Sequence, residues 1–560
     1  MSPHGITPDD LLVLMKSPHP HAVLDLRERG AYERGHIFRA TSLPRRLLEL
    51  RLSHLVTARQ TPVVLYDEDG ALSELAAAML ADLGFSDVRT VAGGLAGWRA
   101  AGQTLVQGVN LPSKVFGERV VHTHATPQVS PPELQARIDR GDDLLIVDAR
   151  TPQEYQRGCI PGAWSVPGGE LILHVSDLVG SPETTVIVHC GGRTRSYIGA
   201  ETLRRMSLPN PIQALENGTM GWELAGLALE RGASRWAPPA SLRSRAGARR
   251  LAERVAAEDG ISLLTVDELR RLWARRDHEN VILLDIRSRD EYDRGHLAGS
   301  VWAPGGQAIQ ATDEYIAVRA TAIVCVCDDS ARSIMTASWL GRMGFPTVHV
   351  LAGGLAAWTG SGGGLESEPA PAQIHGYEDA RRRIALVRPE ILSQELERRP
   401  DLVVLNVDQS DDYARGHVPG AGWLCRSRLE LRIRSLAPAS DAPLVMTCAG
   451  GVASTLATAS LVRLDYTAVR ALDGGTRAWE RAGLPVERGS SRLLDKPDDV
   501  VVKPYERGRA GMQAYLDWEA ALDDDGRSPH SLFPPTTRDA DDDAAPPRAR
   551  RSDRSAGIQP

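Results

Sequence analysis

Four times along this chain an apolar run ends in a short polar triplet, and 42 residues beyond the first member of that triplet a second apolar run ends in a short loop. The triplets begin at Asp25, Asp148, Asp285 and Asn406, in Leu24-Asp25-Leu26-Arg27, Val147-Asp148-Ala149-Arg150, Leu284-Asp285-Ile286-Arg287 and Leu405-Asn406-Val407-Asp408. The loops begin at Asp67, Cys190, Cys327 and Cys448. Between the two lie a tyrosine and a glycine turn: Tyr32, Gly35 and His36; Tyr155 and Gly158; Tyr292, Gly295 and His296; Tyr413, Gly416 and His417. Each unit closes on a glycine pair or its equivalent and a tryptophan: Gly93-Gly94 with Trp98, Asn217-Gly218 with Trp222, Gly353-Gly354 with Trp358, and Gly474-Gly475 with Trp479. Chance does not produce that order and offset four times, so whatever fold one unit adopts, all four adopt.

Within each unit strand-like and helix-like patterns alternate. Short apolar runs such as 144–147 and 281–284 read as strands buried on both faces, which implies a mostly parallel central sheet flanked by helices. The expected architecture is four tandem α/β units over 5–104, 127–232, 260–360 and 386–490, an extension with an amphipathic helix over 491–530, and a disordered tail over 531–560, where Asp, Pro and Arg blocks dominate. Three connections read as linkers: 105–127, the Arg- and Ala-rich 233–260, and the Gly/Pro/Glu-rich 360–373.

Composition excludes several classes. A net charge of −7 over 560 residues does not suggest a nucleic-acid partner, and no apolar run is long enough to span a bilayer. The opening Met1-Ser2-Pro3-His4 lacks the features of a signal peptide. Six cysteines in a chain of this length do not make a disulfide framework, and none has zinc-ligand spacing, so no metal is expected. A reducing cytoplasm is the expected location.

Chemistry points to the second loop, Cys190-Gly191-Gly192-Arg193-Thr194-Arg195-Ser196. A strand-like run leads in and a helix-like run leads out. Glycines would let backbone N–H groups turn inward as an anion-binding nest, and the helix N-terminus and the two arginines would add positive charge. Those are the conditions that favour a thiolate, the reactive form of cysteine.

The D-x-R triplet, the glycine turn, the C-x-x-x-x-R loop and the terminal G-G-x-x-x-W together resemble the rhodanese-like sulfurtransferase family, and they cover most of residues 5–488. The resemblance implies transfer of a sulfane sulfur through a persulfide on Cys190, without metal or organic cofactor. The donor would be a small anion such as thiosulfate or 3-mercaptopyruvate, and the acceptor a thiol or cyanide, with any protein acceptor unidentified. Cys190 and Arg195 would be catalytic, and Gly191, Gly192, Arg193, Thr194 and Ser196 would bind substrate. The related phosphatase-like branch has a loop one residue longer, so the short loop here favours sulfur over phosphorus. The rival reading is a sulfur-relay or scaffold protein whose extra units bind partners.

The remaining loops differ. Asp67-Glu68-Asp69-Gly70 has no thiol, which makes the first unit structural. Cys327 is a secondary candidate nucleophile, but Asp328 and Asp329 beside it disfavour a thiolate; Cys325 lies on the same strand face. Cys448 is another secondary candidate, in an uncharged loop similar to that of mercaptopyruvate sulfurtransferases, where Arg426 or Arg428 could hold a donor carboxylate. Cys159 reads as a core residue or as a resolving thiol for Cys190. Arg150 and Glu154, four apart, should form an ion pair.

Overall fold

A computed structural model describes residues 4–367, 374 and 376–522. The expected tail over 531–560, the last part of the expected extension, 523–530, and residues 368–373 of the expected linker lie outside the described residues. The second, third and fourth units each contain a five-stranded, all-parallel sheet in one spatial order. In the second unit that order is Gln128–Val129, Ile212–Leu215, Thr185–His189, Leu144–Asp148 and Trp164–Ser165. The first unit has the same parallel core and gains an antiparallel strand from the third unit, Val318–Arg319, with Val318 opposite Ala22. Every residue of Thr185–His189 is buried, as expected for a strand covered by helices on both faces.

The repeated residues hold each unit at equivalent points. Arg27, Arg150 and Arg287 each fold back onto the aspartate two residues earlier, at 2.7 Å in all three. Each also donates to the carbonyl of the turn glycine, Gly35, Gly158 or Gly295. The indole N–H of Trp98, Trp222, Trp358 and Trp479 donates to the carbonyl six residues on, at 2.7–3.0 Å. Gly94, Gly218, Gly354 and Gly475 have φ of +54° to +63°, and a Cβ at any of them would press into the backbone carbonyl of Asp67, Cys190, Cys327 or Cys448. Glycine is therefore required where the closing turn meets the loop.

Two of the expected linkers are structural helices. Leu111–Thr123 packs against the second unit, and Leu242–Glu258 lies between the second and third. Ala248, Leu251, Ala252 and Val255 of the latter join one continuous core with Ile172, Leu173 and Ile198 of the second unit and Ile282, Ile334 and Trp339 of the third. The first and fourth units meet through a buried charge cluster in which Arg45 pairs with Glu49 and Glu430, and Arg426 with Glu430. The C-terminal segment then crosses the first unit, where the Asp498 carbonyl accepts the Gly30 N–H at 2.9 Å, and ends in the helix Gly508–Ala520. Among the described residues no helix is long and apolar enough to cross a membrane.

Candidate active site

The central strand Thr185–His189 delivers Cys190 at its carboxyl end, and Thr194–Arg205 is the helix that follows. This is where open parallel sheets bind ligands. Cys190 is 2% exposed and lines a chamber of about 750 Å³ together with Gly191, Gly192, Arg193, Thr194 and Arg195. Its thiol lies 3.6 Å from the Ser196 hydroxyl, which itself donates to the Arg193 carbonyl at 2.7 Å.

The loop departs from the expected glycine nest. Neither Gly191 nor Gly192 has a positive φ. In the other units the third residue after the loop start is left-handed, with φ of +98° at Gly70, +76° at Ser330 and +87° at Gly451, whereas Arg193 has φ −120°. The role of Gly192 is spatial. A Cβ there would lie 3.0 Å from Glu519 Oε2, 3.1 Å from Met220 Cε and 3.5 Å from Tyr515 Cε1, so glycine admits the C-terminal helix to the loop.

Both loop arginines have carboxylate partners. Arg193 makes a two-point contact with Glu118 of the linker helix at 2.6 and 2.8 Å. Arg195 makes another with Glu154 at 2.7 and 2.8 Å. The expected Arg150–Glu154 ion pair is therefore replaced: Arg150 turns to Asp148, and Glu154 turns to Arg195 while closing a capping box with Thr151. Burial opposes ionisation of Glu154, but Arg195 outweighs it and holds the carboxyl well below the usual carboxylate range. The pair locks the first turn of the loop helix against the turn after the D-x-R triplet. Cys159 does not line the chamber. It occupies the place of His36, His296 and His417, bridging to Glu230 amid Tyr155, Ile160 and Trp222, and burial pushes its thiol up to about 11.

In the first unit Asp67 fills its own nest. Its carboxylate accepts the Leu72 N–H at 3.1 Å, the Ser73 N–H at 3.2 Å and the Ser73 hydroxyl at 2.5 Å. In the third unit Cys327 is fully buried, and burial raises its pKa ahead of the carboxylate effect expected from the sequence. Asp328 and Asp329 are paired, with Arg287 and Arg332 and with Arg249 respectively. Arg332 is held by Glu291, Asp328 and Glu170 of the second unit at 2.8–3.0 Å. Cys325 lies in the same buried core.

The fourth unit has the nest that the second lacks. Cys448 Sγ accepts the Gly451 N–H at 3.1 Å and the Ser454 N–H at 3.3 Å. Burial and then the nearby Asp408 carboxylate raise the thiol pKa. Both arginines expected to hold a donor have other partners. Arg426 is taken by Glu430 and Ser460, and Arg428 by Asp495 and Asp498.

Sequence reasoning missed Lys114, Tyr505, Tyr515, Trp518 and Glu519, which line the chamber from outside the repeats. For Tyr515, Trp518 and Glu519 the only sequence signal was the helix pattern near the C-terminus, and nothing in it tied that helix to Cys190; Lys114 lies in a segment that reads as a linker, and Tyr505 lies ahead of the helix.

The model of the rhodanese-like domain matches residues 7–101, 130–225, 268–361 and 388–482. A crystal structure of thiosulfate sulfurtransferase from Pseudomonas aeruginosa is 38% identical and superposes with a TM-score of 0.84, covering 95% of this chain and 99% of that one. A thiosulfate sulfurtransferase of Azotobacter vinelandii is 28% identical over 244 residues, 36% of this chain and 88% of that protein. The HTH-type transcriptional regulator Rv0324 of Mycobacterium tuberculosis is 31% identical over 102 residues, 18% of this chain, which spans only 43% of that protein. The matches to the repeats, and the likeness over nearly the whole length of a solved relative, place this chain in the rhodanese-like family, with four rhodanese-like domains in tandem.

Proposed function

We propose that this protein is a sulfurtransferase that moves a sulfane sulfur from a small anionic donor of the thiosulfate type to a thiophilic acceptor through a persulfide on Cys190. The observation that carries this reading is that Cys190 lines a chamber together with Arg193 and Arg195 of its own loop. The Cys190 thiolate attacks the outer sulfur of the donor, forming Cys190–S–S⁻ and releasing sulfite. The acceptor then attacks the outer persulfide sulfur and Cys190 leaves as thiolate, a two-step exchange with ping-pong kinetics. The likeness to thiosulfate sulfurtransferases supports the donor class. The test is intact mass after incubation with thiosulfate and removal of excess. The reading requires a gain of one sulfur atom located on the Cys190 peptide, and an unchanged mass overturns it in favour of a binding or scaffold role.

Arg195 acts here chiefly by fixing the loop through Glu154. Arg195→Met should lower kcat/KM for thiosulfate by about 1.5–3 kcal/mol, roughly ten- to a hundredfold, because it removes charged hydrogen bonds and leaves Glu154 without its partner. Glu154→Gln should give a smaller loss with the same sign. Unchanged kinetics in both would remove Arg195 from the site.

The first and third units serve as structure in this reading, since Asp67 fills one loop and the Arg332 cluster closes the other. The uncharged Cys448 loop points to mercaptopyruvate as its donor, but the engagement of Arg426 and Arg428 with Glu430 and Asp495 supports a structural role. Sulfide release from mercaptopyruvate, with a reducing thiol present, is expected to be equal in Cys190→Ser and Cys190→Ser/Cys448→Ser proteins. A clear excess in the single variant would restore Cys448 as a second nucleophile.

A further inference from the structure

The chamber over Cys190 is built largely from segments outside the family's repeating unit. Its floor is the loop of the second unit. One wall is the helix Leu111–Thr123, and the roof is the C-terminal helix Gly508–Ala520. The cations around it are unequal in what they leave for a ligand. Arg193 is matched by Glu118, Arg195 by Glu154, and Arg507 at the rim by Glu33 at 2.7 Å. Each of those is a close, hydrogen-bonded contact that a donor anion would have to break.

Two lysines also line the chamber: Lys503, which is exposed to solvent, and Lys114, which is different. It is 5% exposed and lies on the wall helix, 4.3 Å from the centroid of the Tyr515 ring and 5.3 Å from that of Trp518. Its ammonium donates to the Tyr515 hydroxyl, while its carboxylate neighbour, Glu519, stands 3.8 Å away, outside hydrogen-bond reach. Glu519 Oε1 instead accepts the Thr194 hydroxyl at 2.8 Å. An ammonium has three N–H donors, so among the described residues Lys114 keeps hydrogen-bonding capacity for an incoming anion. A lysine suits this place because it is a compact charge that can follow a tetrahedral oxyanion.

We propose that Lys114, supplied by the helix between the first two units, is the group that binds the anionic end of the sulfur donor over Cys190. The proposal rests on Cys190 as the sulfur carrier and adds the residue that orients what Cys190 attacks. Burial works most strongly against the Lys114 charge, with Arg195 and Lys503 adding to it, while Glu519 and the Cys190 thiolate favour it. A bound dianion adds to that favourable side. The aromatic walls exclude water and strengthen the contact. With the sulfonate oxygens on Lys114, the outer sulfur is left to face the thiol, and the sulfite produced departs from the same cation.

The test compares Cys190 alkylation in the full-length chain by iodoacetate, an anion, and by iodoacetamide, its neutral analogue, with the modified peptide located by mass. The rate ratio cancels changes in thiol reactivity and in general access. In Lys114→Gln the iodoacetate-to-iodoacetamide ratio should fall about fivefold or more, and KM for thiosulfate should rise about tenfold with kcat changed far less, as loss of one charged contact predicts. Lys114→Arg keeps the charge and should retain most of the ratio. Glu519→Gln leaves Lys114 in place and removes its opposing charge, so the ratio should rise; this arm stands even if Lys114→Gln fails to fold. An unchanged ratio in Lys114→Gln, equal acceleration of both reagents as from an opened roof, or no rise in Glu519→Gln overturns the proposal. A wild-type protein that takes no sulfur from thiosulfate would overturn the sulfurtransferase reading, and the alkylation ratios would still decide whether Lys114 is the anion-binding charge.

Discussion

Cys190→Ser is expected to abolish transfer of sulfur from thiosulfate to cyanide, with a loss of more than about a thousandfold, the scale on which removal of a nucleophile acts. Serine preserves the shape of the loop and can still face the Ser196 hydroxyl, so the substitution separates chemistry from folding. An alkoxide is not formed there in useful amount, and oxygen cannot hold a sulfane sulfur as a persulfide. The other cysteines do not compensate in this account. Cys327 is fully buried with Arg332 locked, Cys448 is buried in a loop that carries no arginine of its own beside the Asp408 carboxylate, and Cys159 is a core residue. The measurement is thiocyanate formation by wild type and variant at matched concentration, with thermal unfolding as the control for integrity. Retention of more than about a tenth of the activity would mean that a second loop carries sulfur, and the single-site mechanism would fall.

Arg332→Met is expected to produce the largest loss of stability. The arginine side chain is 3% exposed and bridges three carboxylates on two units: Glu170 from the second, and Glu291 and Asp328 from the third. Removing it leaves Glu170 and Glu291, both mostly buried, without their cation. Breaking a buried pair in this way costs about 3–5 kcal/mol. Burial opposes ionisation of both glutamates, yet Arg332 outweighs it and holds each below its ordinary pKa. Asp328, more exposed, moves the other way because burial exceeds the help it receives from Arg332.

The sign of the pH dependence follows from the two glutamates. Their folded pKa values are depressed, so in the wild type they contribute stability that is present above the unfolded carboxylate value and lost as pH falls through the folded one. In the variant the depression is gone, and protonation relieves the unpaired charges. The deficit of Arg332→Met should therefore be greatest at neutral pH and shrink below about pH 5, near the ordinary carboxylate range. Thermal unfolding at neutral pH and at mildly acidic pH checks it. A variant as stable as wild type at neutral pH, or a deficit that does not shrink on acidification, would show that the cluster does not fasten the second unit to the third.

The fold was legible because its constraints are local and repeated. The 42-residue offset, the Asp-x-Arg triplet and the glycine-to-tryptophan closure each correspond to a contact inside one unit, and those contacts recur with nearly constant geometry. The glycine pair could be read from the chain, though its reason, a close approach to the loop carbonyl, could not. The linker helix Leu242–Glu258 shows how a legible signal can be misplaced. Ala248, Leu251, Ala252 and Val255 have helical spacing, yet two of the four are alanines, and the many arginines between them resemble a solvated connector.

The candidate site divides in the same way. The sequence by itself determined which loop carries a thiol with arginines, because Cys190, Arg193 and Arg195 are neighbours in the chain. It also determined that Asp67 cannot act as a sulfur nucleophile. Only the tertiary structure decided what those arginines hold, since Glu118 and Glu154 lie 75 and 41 residues away from their partners. It alone placed Lys114 and the helix Gly508–Ala520 over Cys190, with Thr194 and Glu519 in contact across 325 residues. The physical reason is one of range. Strand, turn and loop geometry depend on residues a few positions apart, whereas burial and charge pairing depend on surfaces that meet only after the units have folded and docked.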